Sequence, residues 1–116
     1  MPFLNWSELP RYQSAPGRAM RLVDGDKGTL IRLECEGPTV LEPHIHNDIE
    51  QMSVILEGEM EFSLGGETKT VRAGDVVLVP VGTLHGMSVK GGHKAAAVEF
   101  FTPPREDLRK QMRSGG

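Results

Sequence analysis

Glycine and proline interrupt this 116-residue sequence at short intervals, and the segments between them alternate apolar with polar residues. Alternation with a period of two places successive side chains on opposite faces of a strand, whereas a helix needs a period of about 3.6. Counting such segments gives about nine short strands, with no repeat of roughly 20 to 50 residues that would indicate a solenoid or propeller. The pattern predicts an all-β sandwich or barrel.

The clearest hairpin pairs residues 59–64 with residues 67–72 across Gly65 and Gly66, because two glycines accept the positive φ angles of a tight turn. The apolar face of its first arm holds Met60, Phe62 and Leu64. Alternation likewise places Ile31, Leu33 and Cys35 on one face of an earlier strand. A later run, Val76 to Val79, is apolar on both faces and ends at Pro80, which cannot donate a ladder hydrogen bond.

The length fits one domain with one core. The strand pattern covers residues 16–102. Residues 1–15 carry more apolar surface than a free tail should, in Phe3, Leu4, Trp6 and Leu9, so this arm is expected to pack on the barrel or on a second subunit. We therefore predict a homodimer. Residues 103–116 are expected to form a tail or a short helix.

Charge and composition exclude several classes of function. A net charge of -3 argues against nucleic-acid binding, and the basic stretch from Arg105 to Arg113 is expected to be a solvated helix or tail. No apolar run approaches the roughly 20 residues of a membrane span. The first residues do not resemble a secretory signal, and a lone Cys35 cannot form an internal disulfide, so a cytoplasmic location is expected.

Three of the four histidines fall in two short segments, His44-Ile-His46 and His85. Residues two apart on a strand share a face, so His44 and His46 can reach one ion together. A divalent ion needs several converging donors, and histidine is the commonest side-chain ligand. Either segment alone is more often structural than metal-binding, so the flanking residues matter.

Those flanks form two blocks. The first is Gly37, then His44-x-His46, four residues, Gln51, six residues and Gly58; the second is Gly74, five residues, Pro80-x-Gly82, two residues and His85. The two blocks resemble the paired motifs of the cupin superfamily. The resemblance implies a single-domain jelly-roll barrel, or double-stranded β-helix, that holds one divalent transition metal ion (Ni, Fe, Zn, Mn or Cu) through His44, His46, Gln51 and His85.

The match departs from the family pattern in three places. Six residues rather than five separate Gly37 from His44, Val89 stands where an asparagine is common, and Gln51 replaces the usual glutamate ligand. Only the last bears on chemistry, since three imidazoles and an amide leave the full charge on the ion. Glu50 is a rival ligand. Gln51 is favoured because it has the six residues before Gly58 that the motif requires, and alternation would turn Glu50 the other way.

The last predicted strand indicates which group of cupins the sequence resembles. Alternation places Ala95, Ala97, Glu99 and Phe101 on one face, and a carboxylate among small residues is unusual on a solvent face. From Glu99 the sequence reads acidic residue, x-Phe, then x-Pro-x-Arg-Glu-Asp. This pattern is similar to that of the small cupins typified by a pectin-degradation protein that linearises unsaturated uronates. By position, Glu99, Phe101 and Arg105 would be the catalytic residues, although that family member has aspartate at the position of Glu99.

The resemblance implies a metal-dependent isomerase or tautomerase that acts on a small acidic sugar derivative. In such an enzyme Glu99 would move a proton, Arg105 would pair with a substrate carboxylate, and Phe101 would pack on the ring. Two alternatives stay open: a non-enzymatic module that binds a metal or a small ligand, and an iron-dependent dioxygenase. Fold alone does not choose among them.

Overall fold

The structure, a computed structural model, describes residues 2–115, with side chains described up to residue 111. Met1 and Gly116, the outermost residues of the two predicted terminal segments, lie outside this range. After a short 3-10 helix, Trp6–Glu8, the described chain forms nine strands and one helix. They are β1 Tyr12–Ala15, β2 Arg18–Asp24, β3 Thr29–Glu36, β4 Thr39–His44, β5 Glu50–Leu64, β6 Glu67–Arg72, β7 Val76–Val79, β8 His85–Val89, β9 Lys94–Thr102 and α1 Glu106–Gly115.

All strand pairs are antiparallel, and β5 joins the two halves of the curled sheet. Its first half lies between β7 and β9, and the sheet continues from β9 through β3 and β2 to β1. Its second half lies between β6 and β8, and β4 pairs with the far side of β8. The strand passes between the halves at Gly58, which has a φ of +68° and lies so close to the Lys94 carbonyl oxygen that a Cβ would collide with it. The all-β prediction is confirmed.

The interior of the curled sheet is filled by the faces that alternation marked as apolar. Ile31, Leu33 and Cys35 of β3 are buried, and so are Met60 and Phe62 of β5. Each large apolar side chain buried in this way stabilises the fold by about 2 kcal/mol. Burial raises the pKa of the Cys35 thiol to about 12, so this cysteine is unreactive.

The predicted hairpin is confirmed residue for residue. Glu59 lies opposite Arg72, and Leu64 lies opposite Glu67. Gly65 and Gly66 have φ angles of +56° and +90°, which non-glycine residues rarely adopt. Alternation in the two arms and the two turn glycines are therefore sufficient to predict this register.

Both terminal segments contact the barrel. In the N-terminal arm, the Arg21 guanidinium donates to the carbonyl oxygens of Trp6 and Leu9, each at 2.9 Å, while Phe3 stays 96% exposed. In α1, Leu108 is buried in the core, and Arg109 donates to Asp24 of β2, with 3.0 Å from Nη2 to Oδ1. No helix within residues 2–115 is long and apolar enough to cross a membrane.

The outer side of the half-sheet β7-β5-β9 is apolar although it faces outward. Neighbouring strands place Met52 opposite both Leu78 and Phe100, and Val54 opposite both Val76 and Val98. The exposed fractions are 64% for Val76, 50% for Leu78 and 43% for Met52. We call this set the outer apolar face: Met52, Val54, Leu56, Val76, Leu78 and Phe100. The run Val76 to Val79 is therefore apolar on both sides, but only the side of Val77 and Val79 faces the core.

Candidate metal centre

The three histidines singled out from the sequence meet at one end of the barrel. His44 is the last residue of β4, His85 is the first of β8, and the two lie opposite each other in the ladder. His46 follows in the connection to β5. Because the chain enters β8 and leaves β4 at the same end, residues about forty positions apart in sequence become neighbours.

The geometry of the trio fits a metal ion. One ring nitrogen from each histidine lies within 4.8 Å of the others. The Nδ1 atoms of His44 and His85 lie 2.9 Å and 3.0 Å from the backbone oxygens of Glu42 and Thr83. A carbonyl can only accept, so each Nδ1 carries a proton, and in a neutral imidazole of this tautomer the lone pair lies on Nε2.

Two buried ring nitrogens of this trio test whether the site fits an ion. The Nε2 atoms of His46 and His85 are buried and have no hydrogen-bond partner among the described residues. Buried polar atoms are almost always satisfied, and an ion at the centre of the trio would satisfy both. The three histidines are therefore able to hold a divalent metal.

The electrostatics also favour metal binding. Burial, with a smaller contribution from the Arg105 charge, lowers the pKa of His46 to about 4, and burial lowers the pKa of His85 as well. Both imidazoles are therefore neutral at neutral pH, which is the form that binds a metal. Protons compete for these two nitrogens only in acid.

Gln51 is buried at the start of β5 and lines the same cavity as the histidines. Its amide nitrogen donates to Glu99 Oε2 at 2.8 Å and to Ser53 Oγ at 2.9 Å. These bonds use both amide hydrogens, and the carbonyl oxygen, Oε1, has no hydrogen bond among the described residues. Glu50 lies one position earlier on the strand, so its side chain is directed to the opposite face. The arrangement leaves the donor atom of Gln51 free for a cation.

Glu99 lies in β9 and faces the barrel cavity. Its Oε2 accepts a hydrogen bond from Ser53 Oγ at 2.6 Å in addition to the one from Gln51. Burial raises the pKa of the Glu99 carboxyl, and the donors Ser53 and Gln51 and the Arg105 charge oppose that rise. A carboxyl group with a raised pKa can take up and release a proton closer to neutral pH than an exposed one.

Phe101 and Arg105 close the cavity beside the histidines. The Phe101 ring is buried, and the Arg105 Cζ lies 4.7 Å from its centroid. Asp107 accepts two hydrogen bonds from Arg105, at 2.8 Å from Nε and 2.7 Å from Nη2, and this pairing lowers the pKa of Asp107. Asp107 and Leu108 belong to α1, so the helix covers this end of the barrel.

All seven residues predicted from the sequence line one cavity of about 270 Å³. Sequence reasoning did not identify Ser53, Asp107 or the cavity-lining Arg18. Ser53 lies two residues after Gln51 on one strand, so alternation could have placed it on the same face. No local signal assigns Asp107 or Arg18, because the first contacts the site through a helix packed on the barrel and the second lies on a different strand.

The fourth ligand is tested by exchanging amide and carboxylate at two adjacent positions. We expect Gln51→Glu to bind the metal at least as tightly as the wild type, because a carboxylate is the stronger donor to a cation and its second oxygen can share a proton with Glu99 Oε2 in place of the amide hydrogen bond. Glu50→Gln, the matched control, should leave metal affinity unchanged because its side chain lies on the other face. The affinities are measured by competition with a chelator. Loss of metal from Glu50→Gln with retention in Gln51→Ala would assign the fourth ligand to Glu50.

The chain is similar to known proteins both in sequence and in fold. The chain is 28% identical over 79 residues to quercetin 2,3-dioxygenase of Bacillus subtilis, a match that covers 68% of this chain but only 20% of that enzyme. The solved structure of KdgF from Halomonas sp. superimposes with a TM-score of 0.86 at 22% identity, covering 93% of this chain and 98% of that one. An RmlC-like cupin from Shewanella frigidimarina gives a TM-score of 0.85 at 21% identity, covering 93% and 96%.

The solved structures are too distant in sequence to show more than a shared fold. The family model for the cupin domain matches residues 32–101, which include both histidine segments and most of the barrel. That range is more than half of the chain. The chain therefore belongs to the cupin family.

Proposed function

We propose that the protein is a metal-dependent enzyme that acts on a small acidic sugar derivative by ring opening or keto–enol tautomerisation. The observation that carries the proposal is the position of Glu99. Its carboxylate lies in the same cavity as the three histidines and is hydrogen-bonded to Gln51 and Ser53. A protein that only bound a metal or a small ligand would need no proton-transferring group there.

A divalent ion held by His44, His46, His85 and Gln51 would act as a Lewis acid toward a hydroxyl or carbonyl oxygen of the substrate. Glu99 would take the proton released from one substrate atom and return it to another. Ser53, fully buried, donates to the same carboxylate oxygen as Gln51, so Glu99 is held in one orientation. Such positioning is a condition for efficient proton transfer.

The remaining cavity residues select and shield the substrate. The buried Phe101 ring offers an apolar face on which a sugar ring can pack. Arg105 lies over that ring and is held there by two hydrogen bonds to Asp107, whose carboxylate balances its charge. The α1 residues Asp107 and Leu108 limit the access of water from this end.

The proposal is tested by loading the protein separately with Ni, Fe, Mn and Zn and incubating each form with unsaturated uronates and with keto acids. We expect conversion of the cyclic uronate to its open form, followed by proton nuclear magnetic resonance, for at least one metal. The control is the same protein after treatment with a chelator. Absence of conversion above the uncatalysed rate with every metal would reject the proposal.

A second candidate, an iron-dependent dioxygenase, is favoured by the relative from Bacillus subtilis, which is a quercetin 2,3-dioxygenase. Three histidines with an oxygen donor also suit iron. Oxygen consumption by the iron-loaded protein in the presence of quercetin tests this alternative directly. Uptake of oxygen that depends on both iron and quercetin would favour it over isomerisation.

We also propose that the protein forms a homodimer through the outer apolar face. Six exposed apolar side chains next to one another are unusual for the surface of a monomer. A single face that meets its own copy across a two-fold axis would cover all of them at once. The occupant is therefore a second copy of this chain, and the exposed Phe3 of the N-terminal arm adds apolar surface that a partner could cover.

Light scattering at micromolar concentration is expected to give twice the chain mass of 12.7 kDa. Leu78→Glu places a charge in the outer apolar face, and we expect it to shift the protein to monomer. Val40→Glu is the matched control, because Val40 is similarly exposed, at 57%, but lies on β4 in the other half of the sheet. A wild-type mass of one chain would contradict the proposal.

A further inference from the structure

We propose that Arg18 forms an anion-binding site at the inner end of the barrel cavity. It would receive the carboxylate of a ligand whose other end lies at the three histidines. The inference rests on the proposed function in one respect, that a small acidic molecule occupies this cavity. It assigns the carboxylate to a residue level with Cys35 and Ala95, four positions along β9 from Glu99, rather than to Arg105.

The strand register directs Arg18 inward. In β2, Arg18 lies opposite Cys35 of β3, and Met20 lies opposite Leu33. Met20, Leu33 and Cys35 are all buried, so alternation places Arg18 on the interior face of the sheet. Arg18 is half-buried, and it lines both the cavity of the histidines and a wider open groove of about 610 Å³.

Arg18 has no anionic partner of its own among the described residues. Its Nε is buried and makes no hydrogen bond within the part of the chain that is described. Other arginines that contact the barrel differ: Arg21 donates to two carbonyl oxygens, and Arg105 is bound on two nitrogens by Asp107. Leaving a guanidinium nitrogen buried and unpaired is costly, which points to a ligand that pairs with it.

The surroundings leave space for such a ligand. Across the sheet, Arg18 is paired with Cys35 of β3, which is in turn paired with Ala95 of β9. Both of these side chains are small. A planar guanidinium binds a carboxylate through two parallel hydrogen bonds, which are strong where water is excluded.

Between Arg18 and the histidines the cavity is lined by apolar side chains, including Leu33 and Phe62, and by Glu99 nearer the histidines. The cavity therefore suits a small molecule with an oxygen donor at one end, a carboxylate at the other, and no negative charge between them, where it would meet Glu99. Arg105 is less suited to the carboxylate, because Asp107 already occupies its Nε and Nη2.

The experiment measures binding and does not depend on turnover. Zinc-loaded protein is titrated calorimetrically with linear dicarboxylates from malonate to suberate and with the monocarboxylate of each length. We expect one dicarboxylate length to bind about tenfold to a hundredfold more tightly than its monocarboxylate, the gain typical of a charged hydrogen bond. In Arg18→Gln that advantage should disappear. Arg11→Gln, which removes a charge from the open groove only, should keep it.

Several results would overturn the proposal. No length dependence in the wild type would do so, and so would an advantage that survives in Arg18→Gln. Loss of the advantage in Arg11→Gln would place the carboxylate in the open groove instead. Failure of the uronate assay alone would reject the proposed reaction and leave this binding result unaffected, so the two failures are distinguishable.

A second variant guards against misfolding. Arg18→Met keeps the length and apolar part of the side chain and removes the unpaired buried nitrogen. Without ligand it should unfold at the same temperature as the wild type or higher, because methionine lacks the buried, unpaired nitrogen that costs the folded wild type free energy. A clear drop in unfolding temperature would show that Arg18 has a structural partner and would contradict the inference.

Discussion

Replacing His44 and His46 together by alanine is expected to strip the divalent metal from the protein while the barrel stays folded. The two residues supply two of the three nitrogens that lie within 4.8 Å of one another. Four-ligand zinc sites bind with about 10–16 kcal/mol, so losing half of the donors should weaken binding by more than about a thousandfold. The metal content of the purified protein is measured by inductively coupled plasma mass spectrometry.

The fold should survive because neither histidine belongs to the buried core, and both lie at the end of the barrel. The unfolding temperature should fall only to that of the metal-free wild type, since an ion bound by the native state alone stabilises it by linkage. His93→Ala is the control, because His93 is exposed and outside the trio. Metal retained at full stoichiometry in the double variant would reject the site.

The second large effect is expected from Glu99→Gln, which should lower turnover of the uronate by about a hundredfold to ten-thousandfold, the usual contribution of a general acid or base. An amide oxygen can accept the hydrogen bonds that Ser53 and Gln51 now donate to the carboxylate. The variant should therefore keep its metal and its fold and lose only the group that exchanges the proton. Turnover and metal content are measured on the same sample.

Glu99→Asp tests whether turnover depends on the side-chain length of this residue as well as on its negative charge. It keeps a carboxylate but shortens the side chain by one methylene, so its turnover should fall between those of the wild type and Glu99→Gln. Full activity in Glu99→Gln would show that Glu99 only orients Gln51 and moves no proton. Loss of metal from Glu99→Gln would show that the Glu99 carboxylate is needed to hold Gln51 in position for the metal.

Local sequence was sufficient for the parts of the fold in which neighbours in the chain are also neighbours in space. The hairpin across Gly65 and Gly66 and the buried face of β3 follow from alternation and turn chemistry alone. The histidine segments were recognisable because their spacing to the flanking glycines resembles the paired cupin motifs, whereas neither segment alone indicates a metal site. The end of the barrel at which they meet then follows from antiparallel pairing.

Exposure of the outer apolar face could not be read from the sequence. Val76 and Leu78 are as apolar as Val77 and Val79, and the sequence pattern is the same for a strand covered on both sides and for one covered on one side only. Which side is covered depends on the elements packed against it. The structure shows the first pair exposed and the second facing the core.

The sequence by itself determined the strands and their inward faces, because a period of two and a turn glycine act over a few residues. It indicated the three histidines through the resemblance of their flanks to the cupin motifs. Only the tertiary structure decided that β5 and β9 pair so that Ser53 and Gln51 both bond Glu99, and that Arg18 shares their cavity. The two hydrogen bonds join positions 46 and 48 apart in the chain. They depend on how the sheet curls and on what α1 covers, and no local pattern encodes either.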